Sequence, residues 1–138
     1  MTSRLFPTAW VILACIAAPA FAHHSSIAEY DPTQPVKVTG TVTRVEWKNP
    51  HIWFYVDVKD EKGVVANWGF SGGPPGLLQR RGVSRTAMKV GDVVVVEGFR
   101  ARDGSRNASG GTVTFPDGRR VFTAAAEDST LGNRGQGR

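Results

Sequence analysis

Three histidines offer this chain of 138 residues its clearest metal chemistry, and two of them, His23 and His24, are adjacent. They follow Ala20-Phe21-Ala22, the small-x-small pattern that a signal peptidase reads. Cleavage after Ala22 makes His23 the first residue, so its α-amine and imidazole form a two-nitrogen bite for a metal ion. His24 gives a second arrangement, in which its imidazole joins the amine and the intervening amide nitrogen. Imidazole suits Cu(II), Ni(II) and Zn(II), so copper is the one candidate cofactor. His51 completes the set if the N-terminal arm folds back. Taken alone, His51 reads as a turn histidine after Pro50 whose ring bonds to the backbone.

The remaining reactive side chains assemble no catalytic set. Gly69-Phe70-Ser71-Gly72-Gly73 matches the G-x-S-x-G pattern, but a nucleophile elbow needs a helix after the serine and a histidine downstream. Pro74-Pro75 follow instead, and all three histidines lie upstream. Gly72-Gly73 and Gly110-Gly111 fit no phosphate-cradling motif. Asp57, Asp60 and Glu61 sit on or beside a hairpin and read as solvated strand-end residues. The sole cysteine, Cys15, falls in the leader, so the processed chain has neither disulfide nor thiol nucleophile. The expectation is a protein that is not an enzyme.

The other site candidate is a surface. In His51-Ile52-Trp53-Phe54-Tyr55-Val56-Asp57-Val58, the apolar residues Ile52, Phe54, Val56 and Val58 share one face of a strand. His51, Trp53 and Tyr55 share the other. An outward aromatic stripe on a β surface is a binding platform, and it marks these three residues as a surface for an unknown periplasmic protein or a small ligand. The alternative is that the arm or a helical segment covers the stripe and makes a second small core. Trp47 and Trp68 are in phase with the interior and read as structural.

These residues must be carried by an exported domain. Arg4 precedes the apolar stretch Leu5 to Ala18, which is shorter than the roughly 20 residues of a spanning helix, and Pro19 ends it. Residues 1–22 therefore read as a cleavable signal peptide, the destination as periplasm or exterior, and no membrane anchor remains. Removing 22 residues from 138 leaves 116, enough for one core. Loss of Arg4 leaves sixteen basic and twelve acidic side chains, with small clusters at Arg80-Arg81 and Arg119-Arg120. Such a charge favours anionic surfaces, and the compartment argues against nucleic acid.

Residues 23–35, with Pro32 and Pro35, read as an extended arm. A β domain follows over 36–123, and residues 124–138 form a small, polar, Gly-rich tail expected to be disordered. Val36 to Val42 alternates with period two; the phase then slips toward Val45 and Trp47, as a bulge near Thr43-Arg44 would cause, with Gly40 allowing a bend. Asp60 to Gly63 turns into a strand with Val64, Ala66, Trp68 and Phe70 on one face. Leu77 to Met88 holds the only helical stretch, in short pieces with Ser84 as an N-cap. Val93 to Val96 reads as a strand buried on both sides, Asp103 to Gly111 as a loop, and Pro116-Asp117-Gly118 as the turn of a last hairpin. Five to six short strands with one helical segment predict a mostly β fold, a small closed OB-like Greek-key barrel. A β-sandwich of the same strands is the alternative.

His23-His24-Ser25, Gly40-Thr41-Val42, Val45-Glu46-Trp47-Lys48-Asn49-Pro50-His51, Arg80-Arg81-Gly82, Lys89-Val90-Gly91-Asp92 and Asp117-Gly118-Arg119 occur in this order. Together they resemble a family of small exported bacterial proteins known only as a domain of unknown function. The resemblance implies export and a barrel, and it implies no activity.

Overall fold

One long strand organises the chain by pairing on both sides in turn. The computed structural model describes residues 26–124, beginning with a short helix α1 (Ser26–Glu29) that leads directly into β1 (Tyr30–Glu46). The first part of β1 pairs antiparallel with β4 (Val93–Ala101), from Tyr30 opposite Ala101 to Thr41 opposite Val93. Its last part pairs antiparallel with β2 (Trp53–Lys59), from Thr41 opposite Asp57 to Glu46 opposite Trp53. Thr41 therefore touches both neighbours, and the strand must bend sharply there. Gly40 permits the bend: a Cβ at this position would collide with the carbonyl oxygen of Asp57 and stand 2.7 Å from Val56 Cγ1. The register also shifts between Val42 and Arg44, the bulge that the phase slip announced.

The rest of the barrel closes around this strand. β3 (Val65–Ser71) pairs antiparallel with β2 and parallel with β5 (Asn107–Ser109), and β5 joins β4 at Arg100 and Ala108. The order β1-β2-β3-β5-β4 returns to β1, so the sheet is a closed, mixed, five-stranded barrel. Two further strands, β6 (Thr112–Thr114) and β7 (Arg120–Phe122), extend outward from β4 as a hairpin. A helix α2 (Pro75–Arg80) stands between β3 and β4 in sequence, with proline at its first turn. A sandwich is excluded by the closure. No described helix is long and apolar enough to cross a membrane.

The interior is built from alternate residues. Phe54 and Phe70 stack with ring centroids 5.3 Å apart, and both are fully buried with Val56, Val96 and Val113. Burying each such side chain contributes about 1.5–3 kcal/mol, which is what a chain without disulfides must rely on. Trp68 packs against this cluster while half-buried, as its phase predicts. Trp47 differs: it lies beyond the end of β1, half-buried, with its carbonyl accepting a hydrogen bond from Arg85 at 3.4 Å.

Several boundaries depart from the sequence reading. β1 begins at Tyr30 rather than after Pro35: Pro32 lies in the register break between Tyr30 and Pro35, and among the described residues no strand pairs with the flank of 30–40 that does not face β4, so both prolines are tolerated. Only residues 77–80 of the expected helical stretch are helical, in a helix that begins earlier, at Pro75; Ser84 sits in a turn, its hydroxyl 3.1 Å from that of Thr86. Val93 to Val96 is buried on one side only, with Val94 and Val96 inside and Val93 about half exposed. Residues read as a loop contain β5, the strand that completes the closure. The expected leader and C-terminal tail lie outside the described residues.

Candidate functional site

β2 delivers the alternation its sequence prescribes. Ile52, Phe54 and Val56 are fully buried, while Trp53 and Tyr55 are half-buried on the barrel's outer face. The two outer rings stack, with centroids 6.3 Å apart and planes 23° from parallel. Both lean toward β3, where Gly69 lies opposite Tyr55 in the ladder. A Cβ on Gly69 would stand 3.3 Å from Tyr55 Cε1, 3.5 Å from Trp53 Cζ3 and 2.6 Å from Asn107 Oδ1. The missing side chain is the notch that the rings occupy.

The neighbouring strand adds a cation. The bulge in β1 brings Arg44 opposite Tyr55, and its guanidinium carbon lies 3.8 Å from the ring centroid. Arg44 Nε also pairs with Glu46 Oε1 at 3.4 Å, and Glu46 Oε2 pairs with Lys48 at 3.1 Å. Farther along the same face, Asn67 donates to Asp57 Oδ1 at 2.7 Å and to the Thr43 hydroxyl at 3.2 Å. The face therefore presents two joined rings with polar groups at one end, a chemistry suited to stacking and edge hydrogen bonding.

His51 is exposed and precedes β2, in phase with Trp53 and Tyr55. Its Nδ1 is 2.9 Å from the carbonyl oxygen of Gly72, and Ile52 N–H donates to the Gly73 carbonyl beside it. A carbonyl only accepts, so Nδ1 is the donor, which in the neutral ring leaves Nε2 as the acceptor nitrogen. This is the backbone-bonded turn histidine the sequence anticipates, although its partner lies across the barrel end rather than beside Pro50. Among the described residues no three of His, Cys, Asp and Glu come together as a metal-holding group. His23 and His24 lie outside the described residues.

Ser71 of the G-x-S-x-G match is a strand residue, nearly buried, opposite Trp53 and Ser109. It stands in no strand-turn-helix elbow.

Two features of the face were missed in the sequence. Arg44 is not marked by spacing, because the bulge decides which β2 residue it meets. Asn107 reaches Gly69 only through the parallel β3–β5 pairing.

The fold and this face define a class: a small closed mixed β-barrel that carries an aromatic pair on its outer β1–β2–β3 surface. The chain belongs to the family of unknown function DUF6152, whose model matches residues 9–111 and so takes in β1 to β5 with the aromatic pair. No curated protein matches the chain.

Proposed function

We propose that this protein is an exported, non-enzymatic binding or adaptor module. Its outer face around His51, Trp53 and Tyr55 meets a periplasmic partner protein or a small ligand. The observation that carries this reading is the Trp53–Tyr55 stack seated over Gly69 with the Arg44 guanidinium over the Tyr55 ring. A ring pair retained on the outside of a barrel whose core is already filled by Phe54 and Phe70 supplies π surface for a planar or apolar group. Strand order β1-β2-β3-β5-β4, parallel β3–β5 pairing and a helix between β3 and β4 support an OB-like description of the barrel. In such barrels the face of the second and third strands is the usual binding surface. Export rests on the apolar leader and the Ala20-Phe21-Ala22 motif.

The test compares the protein with its Trp53→Ala and Tyr55→Ala variants for capture of a partner or ligand from the compartment that receives it. Loss of capture in folded variants supports the reading, and undiminished capture ends it.

One observation favours a second reading, copper binding at the processed N-terminus. The His51 Nδ1 bond to the Gly72 carbonyl leaves Nε2 as the coordinating nitrogen, the arrangement typical of metal-bound imidazoles. His51 would then join His23 and His24. Titration of correctly processed protein with Cu(II) should show stoichiometric uptake that one extra residue before His23 abolishes. Unchanged affinity in that variant rejects the idea.

A further inference from the structure

On the far side of the sheet, β7 is the edge strand among the described residues. Phe115 N–H donates to the Arg119 carbonyl and Thr123 N–H to the Gly111 carbonyl, with Val113 opposite Val121 between them. In an antiparallel ladder this phase turns the backbone groups of residues 119, 121 and 123 toward β6. The N–H and C=O groups of Arg120 and Phe122 therefore point along the open edge.

That edge is not bare. The segment after α2 stands beside it, and between them runs a groove of about 620 Å³ lined by Arg81, Ser84, Thr86, Arg119, Arg120 and Phe122 among others. Its guanidiniums come from two clusters nearly forty positions apart in the sequence, and among the described residues no carboxylate lines it. Arg119 is anchored, donating to the Ala87 carbonyl at 2.8 Å and lying 3.7 Å from the Phe115 ring centroid. Among the described residues its one ion-pair partner is Asp117, at 4.0 Å and outside the groove lining. Arg81 reaches the Ala124 carbonyl at 3.4 Å. Arg120 extends past the exposed Phe122 ring, 5.6 Å from its centroid. Proteins blunt an open edge by covering it or by charging it; a walled channel with donors, acceptors, an exposed ring and one sign of charge is instead shaped to receive a strand.

We propose that this groove binds an extended acidic peptide segment of a partner protein. The segment adds as a further strand along β7, its backbone bonding Arg120 and Phe122, its carboxylates meeting Arg81 and Arg120, and an apolar residue covering Phe122. Main-chain bonds supply affinity and alternate side chains supply selectivity, as in other strand-addition sites. This surface is separate from the Trp53–Tyr55 face.

The test uses the intact protein and a short blocked peptide alternating Glu and Val, with two controls: a Lys-Val peptide and a Glu-Val peptide N-methylated at every residue. At peptide concentrations about ten times Kd, amide exchange at Arg120 and Phe122 should slow by about tenfold, since protection follows 1 + [L]/Kd. Neither control peptide should bind. The Arg120→Glu variant should lose the Glu-Val peptide and gain the Lys-Val peptide. Four results would overturn the proposal: no binding of the Glu-Val peptide, equal binding of its N-methylated form, unaltered binding by Arg120→Glu, or protection of both amides before any peptide is added.

Discussion

The Arg44 guanidinium carbon sits 3.8 Å from the centre of the Tyr55 ring, across a strand pair whose register is set by the bulge between Val42 and Arg44. The contact joins the barrel's geometry to its surface chemistry. A cation over a partly exposed tyrosine is worth about 0.5–1 kcal/mol, and the adjoining solvent-accessible Arg44–Glu46 pair adds little. A double-mutant cycle with Arg44→Ala and Tyr55→Ala should give a coupling of about 0.5–1 kcal/mol in urea unfolding. Strict additivity would mean that the pair is not formed in solution.

Gly69→Ala tests the seating of the rings. Its Cβ would meet Asn107 Oδ1 at 2.6 Å and Tyr55 Cε1 at 3.3 Å. The polar Asn107 end gives way more readily than backbone, and alanine in a strand is favoured over glycine, so stability should change by only about 1 kcal/mol. The aromatic near-ultraviolet circular dichroism should nevertheless change as Trp53 and Tyr55 are displaced, and ligand capture should fall with it. An unaltered spectrum would separate the rings from Gly69.

Gly40→Ala tests closure instead. The added carbon would meet the Asp57 backbone itself, at the point where β1 serves both β2 and β4. Overpacking of this kind costs about 1–3 kcal/mol. Denaturant unfolding should report a loss in that range or beyond it, larger than that of Gly69→Ala. A smaller loss than Gly69→Ala would show that the two pairings of β1 are independent.

Much of this fold was legible because it depends on period and punctuation. Ile52, Phe54 and Val56 alternate with Trp53 and Tyr55, and the structure places them inside and outside accordingly. The slip after Val42 exposed the bulge, and Pro116-Asp117-Gly118 exposed the last hairpin. β5 was not legible: Asn107-Ala108-Ser109 is three residues long, has no β-branched or aromatic side chain, and owes its strand geometry to β3 and β4. Tyr30 to Pro35 was hidden by two prolines that a partnerless flank accommodates. Val93 looked interior because an apolar run conceals which of its residues face outward. The site followed the same rule. Trp53, Tyr55 and His51 could be found from local phase, whereas the Arg44 contact, the Gly69 notch and the meeting of Arg81 with Arg119 and Arg120 depend on long-range register.

Asp31 offers a test by pH. Its carboxylate accepts the backbone N–H of Thr33 at 3.0 Å, the Thr33 hydroxyl at 2.8 Å and the Gln34 amide at 3.3 Å, in the register break between Tyr30 and Pro35. The Thr33 backbone bond first, then its hydroxyl, with Arg102 also contributing, holds the carboxyl below its ordinary value of 3.8. A carboxyl depressed in the folded state stabilises the fold above the unfolded value, and that contribution disappears as pH falls through the lower folded value. NMR titration should place the Asp31 midpoint below 3.8, and Thr33→Val should move it part of the way back. A midpoint at or above 3.8 in the parent protein would contradict the turn as described.

A binding role for the outer face is tested most directly by light-activated cross-linking in cells that produce the protein. A photo-reactive benzoylphenylalanine replaces Tyr55 in one variant and the exposed hairpin residue Val64 in another. A discrete adduct at position 55, absent at 64 and abolished by Trp53→Ala, is the predicted result. Adducts of equal yield at both positions, or none at 55 in a folded and exported protein, would contradict a binding role for this face.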